Sequence, residues 1–192
     1  MSSTNQPFGL VPSFHPSGLD RAVALADGIA SAYASNILKG QPVALNSSGQ
    51  IIIATAGSAY QGAFAGVEWT DVTGRRRVSN YWPAGTTFQT GSCVAYFYND
   101  SNIVYEIQAD GSMAQTTIGN EYNFTATTAG SSTTGLSQAT LGSATAAGNG
   151  VQGQMRVVDL APYVDNAWGD SYTIVRVVNA QSQFFGAFTA IA

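Results

Sequence analysis

The chain contains one histidine and one cysteine, which limits the chemistry that its 192 residues can perform. His15 lies in a proline-rich stretch, "SFHPSG", where a single tautomer and a supported geometry are hard to arrange. A Ser-His-Asp or Cys-His system would have to use this ring, and neither "GxSxG" nor a cysteine-protease signature accompanies it. Cys93 begins a strand pattern and is interpreted as a small buried residue. We therefore predict no catalytic residue and interpret His15 as a ring that makes a contact.

The other ionisable residues give no better site. One histidine and one cysteine cannot supply the three or four ligands of a typical zinc site. Most of the aspartates fall in or beside turn sequences, where Asp stabilises the turn itself, so a glycosidase-type carboxylate pair is the least favoured interpretation. Oxygens in "NDSN" or "ADGS" could hold calcium, but neither segment has EF-hand spacing. No phosphate-binding glycine motif occurs, and we predict no metal, no cofactor and no small-molecule substrate.

The densest charge is the tripeptide Arg75, Arg76 and Arg77, which holds three of the seven basic residues. Glu68 and Asp71 lie in the same segment and nearly cancel that charge. The remaining basic residues are scattered and the net charge is −4, whereas a nucleic-acid groove needs a basic stripe. Arginine beside aromatic residues is typical of binding hot spots, so we predict a protein contact here, with a solvated strand end as the alternative.

Strand patterns predict the elements that must position these residues. "SCVAYFYNDSNIVYEIQADGS", from Ser92, is typical of a hairpin, because apolar residues alternate in both arms and "NDSN" supplies a turn. "QPVALNSSGQIIIATAG", from Gln41, and the segment around the arginines predict two more hairpins. "VQGQMRVVDLA" and "SYTIVRVV" predict two long strands joined through "PYVDNAWGD", and "QSQFFGAF" is a candidate closing strand. The stretch around Ala30 fits either a short helix or an extended connector.

These patterns predict an all-β sandwich or barrel with an arm and long loops. Residues 1–20 contain three prolines and are expected to form an extended N-terminal arm. Residues 21–192 are expected to form a single β domain. Within it, residues from about 119 to 150 are rich in Thr, Ser, Gly and Ala and are predicted to be a long loop that is ordered by what it touches.

The composition favours a protein that is covered by other proteins. Charged residues make up 9% of the chain, compared with about 25% in an average soluble domain. Small neutral polar groups replace them and cost little to desolvate, although a β domain of the secreted type would have a similar composition. The start of the chain lacks the features of a secretory signal, and its most apolar run is too short to span a bilayer. We therefore expect no membrane partner and synthesis in a cytoplasm.

Five segments occur in an order and spacing that resemble a known family. They are "NQPFGLVPSFHPSG" from Asn5, "LKGQPVAL" from Leu38, "YWPAGT" from Tyr81, "YEIQADGS" from Tyr105 and "PYVDNAWGD" from Pro162. Together they resemble the capsid cement, or head decoration, proteins of tailed bacteriophages, over nearly the whole chain. The resemblance implies a jelly-roll-like, non-enzymatic protein made in the host cytoplasm. It would sit on the outer capsid surface of the virion as a small oligomer and fasten neighbouring major capsid subunits.

Under this interpretation the major capsid protein is the partner, and a homodimer is favoured over a trimer. The residues that we expect at partner contacts are Arg75, Arg76, Arg77, Tyr81, Trp82, Phe8, His15 and Trp168. The alternative function is a carbohydrate-binding β-sandwich that uses Trp69, Trp82 or Trp168 as a stacking platform.

Overall fold

A computed structural model describes residues 2–18, 21–147 and 152–184 of the protein, and for 144–147 it describes the backbone alone. These residues form fourteen β-strands and one 3₁₀ turn, Gln115–Thr117, which confirms the all-β prediction. No helix in the described ranges is long and apolar enough to span a bilayer. The strands are β1 (Val11–Phe14), β2 (Val23–Ala26), β3 (Pro42–Leu45), β4 (Ile51–Ile53), β5 (Gly62–Thr70), β6 (Arg76–Ser79), β7 (Val94–Tyr98), β8 (Val104–Gln108), β9 (Glu121–Thr125), β10 (Gly130–Ser131), β11 (Leu136–Ser137), β12 (Thr140–Ala147), β13 (Met155–Leu160) and β14 (Ile174–Asn179).

The strands form two antiparallel sheets and a short ribbon. The first sheet has the order β1-β8-β14-β13-β9-β12, and the second has the order β2-β7-β5-β3-β4. Strand β5 is nine residues long, so its first half pairs with β3 and its second half with β6, while β7 runs along its other side. Strands β10 and β11 form the ribbon. This arrangement is consistent with a β-sandwich, and the jelly-roll connectivity stays a prediction.

Two apolar clusters hold the layers together. The first joins residues of both sheets, among them Tyr60 and Tyr105. The second packs on the other face of the second sheet and contains Trp69, Trp82 and Cys93. Cys93 is fully buried, and this burial raises the pKa of its thiol to about 11. The second sheet is therefore covered on both faces over much of its area.

A close approach between β5 and β7 requires a glycine, and a tyrosine of the first sheet packs against the same position. A Cβ atom at Gly62 would lie 1.7 Å from the carbonyl oxygen of Tyr98 and 3.1 Å from the hydroxyl of Tyr105. The backbone oxygen cannot move without disturbing the ladder between β5 and β7. Gly62 therefore lets a tyrosine of the first sheet reach the backbone of the second.

Two of the three predicted hairpins are confirmed, and the one with the clearest pattern is wrong. Strands β3 and β4 and strands β5 and β6 pair in antiparallel fashion, and so do β13 and β14, which the sequence predicted as two strands without stating their pairing. Strands β7 and β8 do not pair: β7 lies in the second sheet between β2 and β5, and β8 lies in the first between β1 and β14. Asp100 in the connection accepts a hydrogen bond from the Asn102 backbone N–H at 2.8 Å. The turn forms as its residues predict, but the chain uses it to cross between sheets.

The sequence predicted a long loop from about 119 to 150, but the described part of this stretch, 119–147, forms strands. It contributes β9, the ribbon β10–β11 and β12. Phe124 and Leu141 are buried and face each other across β9 and β12, while β9 also pairs with β13. Small polar residues are ordered here because the backbone ladder satisfies their polar groups and neighbouring strands supply the apolar surface. Residues 148–150 lie outside the described part.

Two further segments are placed by the structure. The stretch around Ala30 forms turns and extended backbone, and its Ile29 and Ile37 belong to the second cluster, so it is a connector and not a helix. At the other end of the chain, Ser182 bridges Tyr60 in parallel. The rest of the candidate closing strand, from 185 onwards, lies outside the described residues.

Buried neutral amides tie loops and the N-terminal arm to the sheets. The Gln154 carbonyl accepts hydrogen bonds from the backbone N–H groups of Gly57 and Phe124, and its NH₂ group donates to the carbonyls of Thr55 and Ser58. Gln108 pairs in the same way with the backbone of the arm, accepting from Gln6 and donating to Thr4. Other amides with this role are Gln41 and Asn166. Residues 4–6 of the N-terminal segment are thus held against the first sheet, which β1 joins as an edge strand.

Candidate contact surface

The three arginines lie on a projecting hairpin whose turn is organised by Asp71. One carboxylate oxygen of Asp71 accepts hydrogen bonds from the Thr73 hydroxyl at 2.6 Å, the Thr73 N–H at 2.9 Å and the Arg75 N–H at 3.0 Å. These bonds, together with one from the Arg77 side chain, hold the pKa of Asp71 well below its usual value. Because the turn is preorganised, its exposed side chains are presented in a defined arrangement.

Two of the arginines form ion pairs within the hairpin. Arg76 donates to the Glu68 carboxylate at 2.5 Å, and Arg77 donates to Asp71 at 3.0 Å. The hydrogen bond from Arg76 is the main reason that the pKa of Glu68 lies below its usual value. The guanidinium groups nevertheless stay outermost: the Arg76 and Arg77 side chains are 71% and 52% exposed, and their carboxylate partners are 21% and 17% exposed. Arg75 is exposed at the end of the turn.

Exposed valines accompany the arginines, and the sequence interpretation had missed them. Val72, in the turn, is 65% exposed, and Val78, on β6, is 75% exposed. Val78 lies directly across from Glu68 in the ladder, on the same face as Arg76. Arg76 and Val78 are two residues apart on a predicted strand, and this spacing could have indicated a face with both charged and apolar side chains.

Trp82 was expected at a partner contact, but its side chain is not at the surface. Its side chain is fully buried and makes edge-to-face contacts with Trp69 and Phe88, at centroid distances of 5.5 and 5.8 Å. After β6 the chain turns back, and Trp82 forms a two-way backbone bridge with Ile37. Tyr81 is half-buried beside it. The exposed contact surface is therefore formed by the arginines and valines, without the tryptophan.

His15 has a defined hydrogen-bonding state, contrary to the sequence expectation. Its Nδ1 accepts a hydrogen bond from the Ser17 backbone N–H at 3.0 Å, so the ring proton of the neutral form is on Nε2, which lies 3.1 Å from Asp100 Oδ2. The Ser17 hydroxyl also lies 2.6 Å from Nδ1. Nδ1 therefore lies within hydrogen-bond distance of both the backbone N–H and the hydroxyl of Ser17. The ring ties the arm to the β7–β8 connection.

Glu106 is the centre of a second tie between the arm and the first sheet. Its carboxylate accepts hydrogen bonds from the Tyr163 hydroxyl at 2.6 Å, the Ser13 hydroxyl at 2.8 Å and Arg176 Nε at 3.3 Å. Burial raises the pKa of Glu106, but these three donors outweigh it and the net shift is downwards. Arg176 also lies over the ring of Phe14, 5.4 Å from its centroid. This carboxylate is used to hold segments together.

The remaining predicted contact residues lie in separate surroundings. Phe8 is half-buried and lines a groove of about 220 Å³ with Lys39 and Leu136. Trp168 is partly buried against the first cluster. With Trp69 and Trp82 buried as well, the tryptophans do not form the stacking platform that the carbohydrate-binding alternative needs.

Within the described residues, no group of three or more His, Cys, Asp or Glu side chains is placed to hold a metal ion. No match to this chain was found among protein-family models, curated proteins or solved structures. Function is therefore inferred from the sequence resemblance and the geometry above.

Proposed function

We propose that the protein is a structural virion protein that binds the outside of a tailed-phage head and fastens neighbouring major capsid subunits. It acts without catalysis, as a cement or decoration protein. One observation of the molecule carries the proposal. The carboxylates and the histidine hold turns and the arm in place, while exposed cationic and apolar side chains gather on the hairpin of β5 and β6.

The sequence resemblance supports the same function. Its five segments run in order along the chain, and three of them contribute to the ties described above. Ser13 and His15 belong to the first segment, Glu106 belongs to "YEIQADGS", and Tyr163 belongs to "PYVDNAWGD". An arm tied to a rigid two-sheet body suits a protein that must bridge neighbouring subunits without unfolding.

We further propose that the major capsid protein is the partner and that the protein is a homo-oligomer, a dimer in preference to a trimer. A decoration protein at a symmetry axis requires a matching oligomer. The proposed location is the outer capsid surface, after synthesis in the host cytoplasm. Light scattering at micromolar concentration should find the oligomer, and a monomer alone would contradict this part of the proposal.

The decisive experiment is a decoration assay on heads of a phage that encodes this chain. Heads that lack the protein are mixed with purified protein, sedimented and analysed for bound copies by quantitative mass spectrometry. We expect saturable binding at a fixed ratio to the major capsid protein, and decorated heads that resist heating better than bare heads. Absence of the protein from purified virions, together with no binding to bare heads, would refute the proposal.

A further inference from the structure

Strand β6 has an open edge. Asp71 N–H donates to the Arg75 carbonyl at 2.8 Å, so Asp71 and Arg75 are a hydrogen-bonded pair of the ladder between β5 and β6. In an antiparallel pair, hydrogen-bonded and non-hydrogen-bonded pairs alternate. Arg77 is therefore hydrogen-bonded to Trp69, whereas the backbone groups of Arg76 and Val78 point away from β5. In the described part of the chain, β5 is the one strand that pairs with β6, so these outward groups form an unpaired edge.

The side chains along this edge define what it can accept. The guanidinium groups of Arg76 and Arg77 lie outside the carboxylates that pair with them, and Arg75 adds a further exposed charge. Val72, in the turn, and Val78, on β6, supply exposed apolar surface on the same hairpin. Arg77 lies on one face of β6, and Arg76 and Val78 lie on the other. An incoming strand of alternating residues would match both features if its carboxylates lay on the face of Arg77 and its apolar side chains on the face of Val78.

The same charges disfavour pairing with a second copy of this chain. Two β6 strands in antiparallel contact would bring the arginines of both copies along one short ladder, and like charges across a ladder are destabilising. Charged side chains on edge strands commonly serve to prevent such association. The edge is thus selective: it rejects its own copy and leaves the outward backbone groups open to a strand of opposite charge.

We propose that the outer edge of β6 binds an extended acidic segment of a partner protein by strand addition. Backbone hydrogen bonds to Arg76 and Val78 supply the pairing, and Arg75, Arg76 and Arg77 select carboxylates. This proposal rests on the proposed function only in naming the major capsid subunit as the source of the acidic segment.

The test uses the intact protein and three synthetic peptides of equal length. The first alternates Glu and Val, the second alternates Lys and Val, and the third is the Glu/Val peptide with a central proline. We expect the first peptide to bind at least about tenfold more tightly than the other two. We also expect it to slow amide hydrogen exchange at Arg76 and Val78 in the wild-type protein. Equal binding of the proline peptide would reduce the interaction to ion pairing and overturn strand addition. Failure of the first peptide to bind at about 1 mM would overturn the proposal as a whole.

Val78→Pro provides a matched variant, with Val78→Thr as its control. The Val78 N–H points outward, so proline removes a donor of the open edge without removing a bond to β5, and proline is tolerated at edges in this orientation. We expect Val78→Pro to lose at least about tenfold in affinity for the Glu/Val peptide and Val78→Thr to retain binding. If a melting curve shows that Val78→Pro does not fold, the exchange measurement on the wild-type protein decides alone. The two proposals can also be separated. If a Val78→Pro protein no longer binds the peptide but still decorates heads, the cement function stands, and the edge of β6 is not the contact through which it acts.

Discussion

Glu106 is the residue on which the arm, the first sheet and the 161–173 connection converge. Its pKa is lowered in the folded protein, so its contribution to stability is present above the unfolded value near 4.5 and is lost as the pH falls through the folded value. We predict that Glu106→Gln lowers the free energy of unfolding at neutral pH by about 2 kcal/mol, because an ionised acceptor of three hydrogen bonds is replaced by a neutral amide. Urea denaturation measures the change.

The pH dependence distinguishes this role from simple packing. The stability difference between wild type and Glu106→Gln should shrink between pH 7 and a pH below about 4.5, because the stabilisation by the ionised carboxylate is lost as the pH falls through the lowered pKa of Glu106. Tyr163→Phe removes one of the donors and should show a smaller loss with the same trend. A difference that is equal at both pH values would mean that the charge of Glu106 contributes nothing.

Gln154 carries the largest set of backbone bonds of any side chain described above. We predict that Gln154→Leu costs about 2 kcal/mol of stability, because the buried Phe124 N–H would lose its partner and the exposed loop of Thr55, Gly57 and Ser58 would lose its tie to the sheet. The exposed Gln138 gives the matched control, since Gln138→Leu should change stability by less than about 0.5 kcal/mol. Similar unfolding midpoints for the two variants would contradict this assignment.

At the scale of elements, the pairing of β5 with β7 depends on Gly62. We predict that Gly62→Ala prevents soluble expression or lowers stability by more than about 3 kcal/mol, because the new methyl group would overlap the Tyr98 carbonyl oxygen. Gly49→Ala is the comparison: at a φ of +74° its Cβ meets open space, so backbone strain alone should cost about 1 kcal/mol. Thermal unfolding of both proteins tests the ranking, and equal melting temperatures would refute it.

The strands themselves could be predicted from sequence, but their partners could not in every case. Local alternation located β7 and β8, and "NDSN" formed the turn between them. A tight turn is compatible both with a hairpin and with a crossing between sheets, and the choice depends on which distant strand offers a better partner. All five residues of β8 are buried, including Val104, Glu106 and Gln108, which lie on the face opposite the alternating apolar residues. The arm and the 161–173 connection cover that opposite face. Contacts with segments that are so distant in sequence do not alter the alternation of apolar and polar residues along the strand, so this alternation could not predict them.

The candidate contact surface was predictable to a similar degree. The cluster of arginines indicated an exposed hairpin, and the structure places all three of them at the surface. Trp82 was misplaced because nothing in "SNYWPAG" shows that the chain folds back on the end of the sheet. Its burial depends on Trp69, Phe88 and Ile37, which come from three other segments.

At the scale of the molecule, many segments are joined by hydrogen bonds between neutral groups and not by ion pairs. The buried glutamine and asparagine amides join segments with groups that neither titrate nor respond to ionic strength. The ion pairs of Arg76 and Arg77 are exposed and contribute little to folding.

We therefore predict that the free energy of unfolding at neutral pH changes by less than about 1 kcal/mol between low ionic strength and about 0.5 M sodium chloride. Peptide binding at β6 should weaken over the same range, because it depends on exposed guanidinium groups. Paired urea titrations and binding titrations measure the two effects. A loss of stability that parallels the loss of binding would show that exposed ion pairs do support the fold.

The burial of Cys93 has a practical consequence. It is the only thiol in the chain, and it directly precedes β7 and belongs to the second cluster with no exposed surface. A water-soluble maleimide can therefore alkylate the protein only while that half of the molecule is open. When alkylation is faster than reclosing, its rate in native buffer equals the rate of those openings, and the protein carries its own reporter without any engineered label.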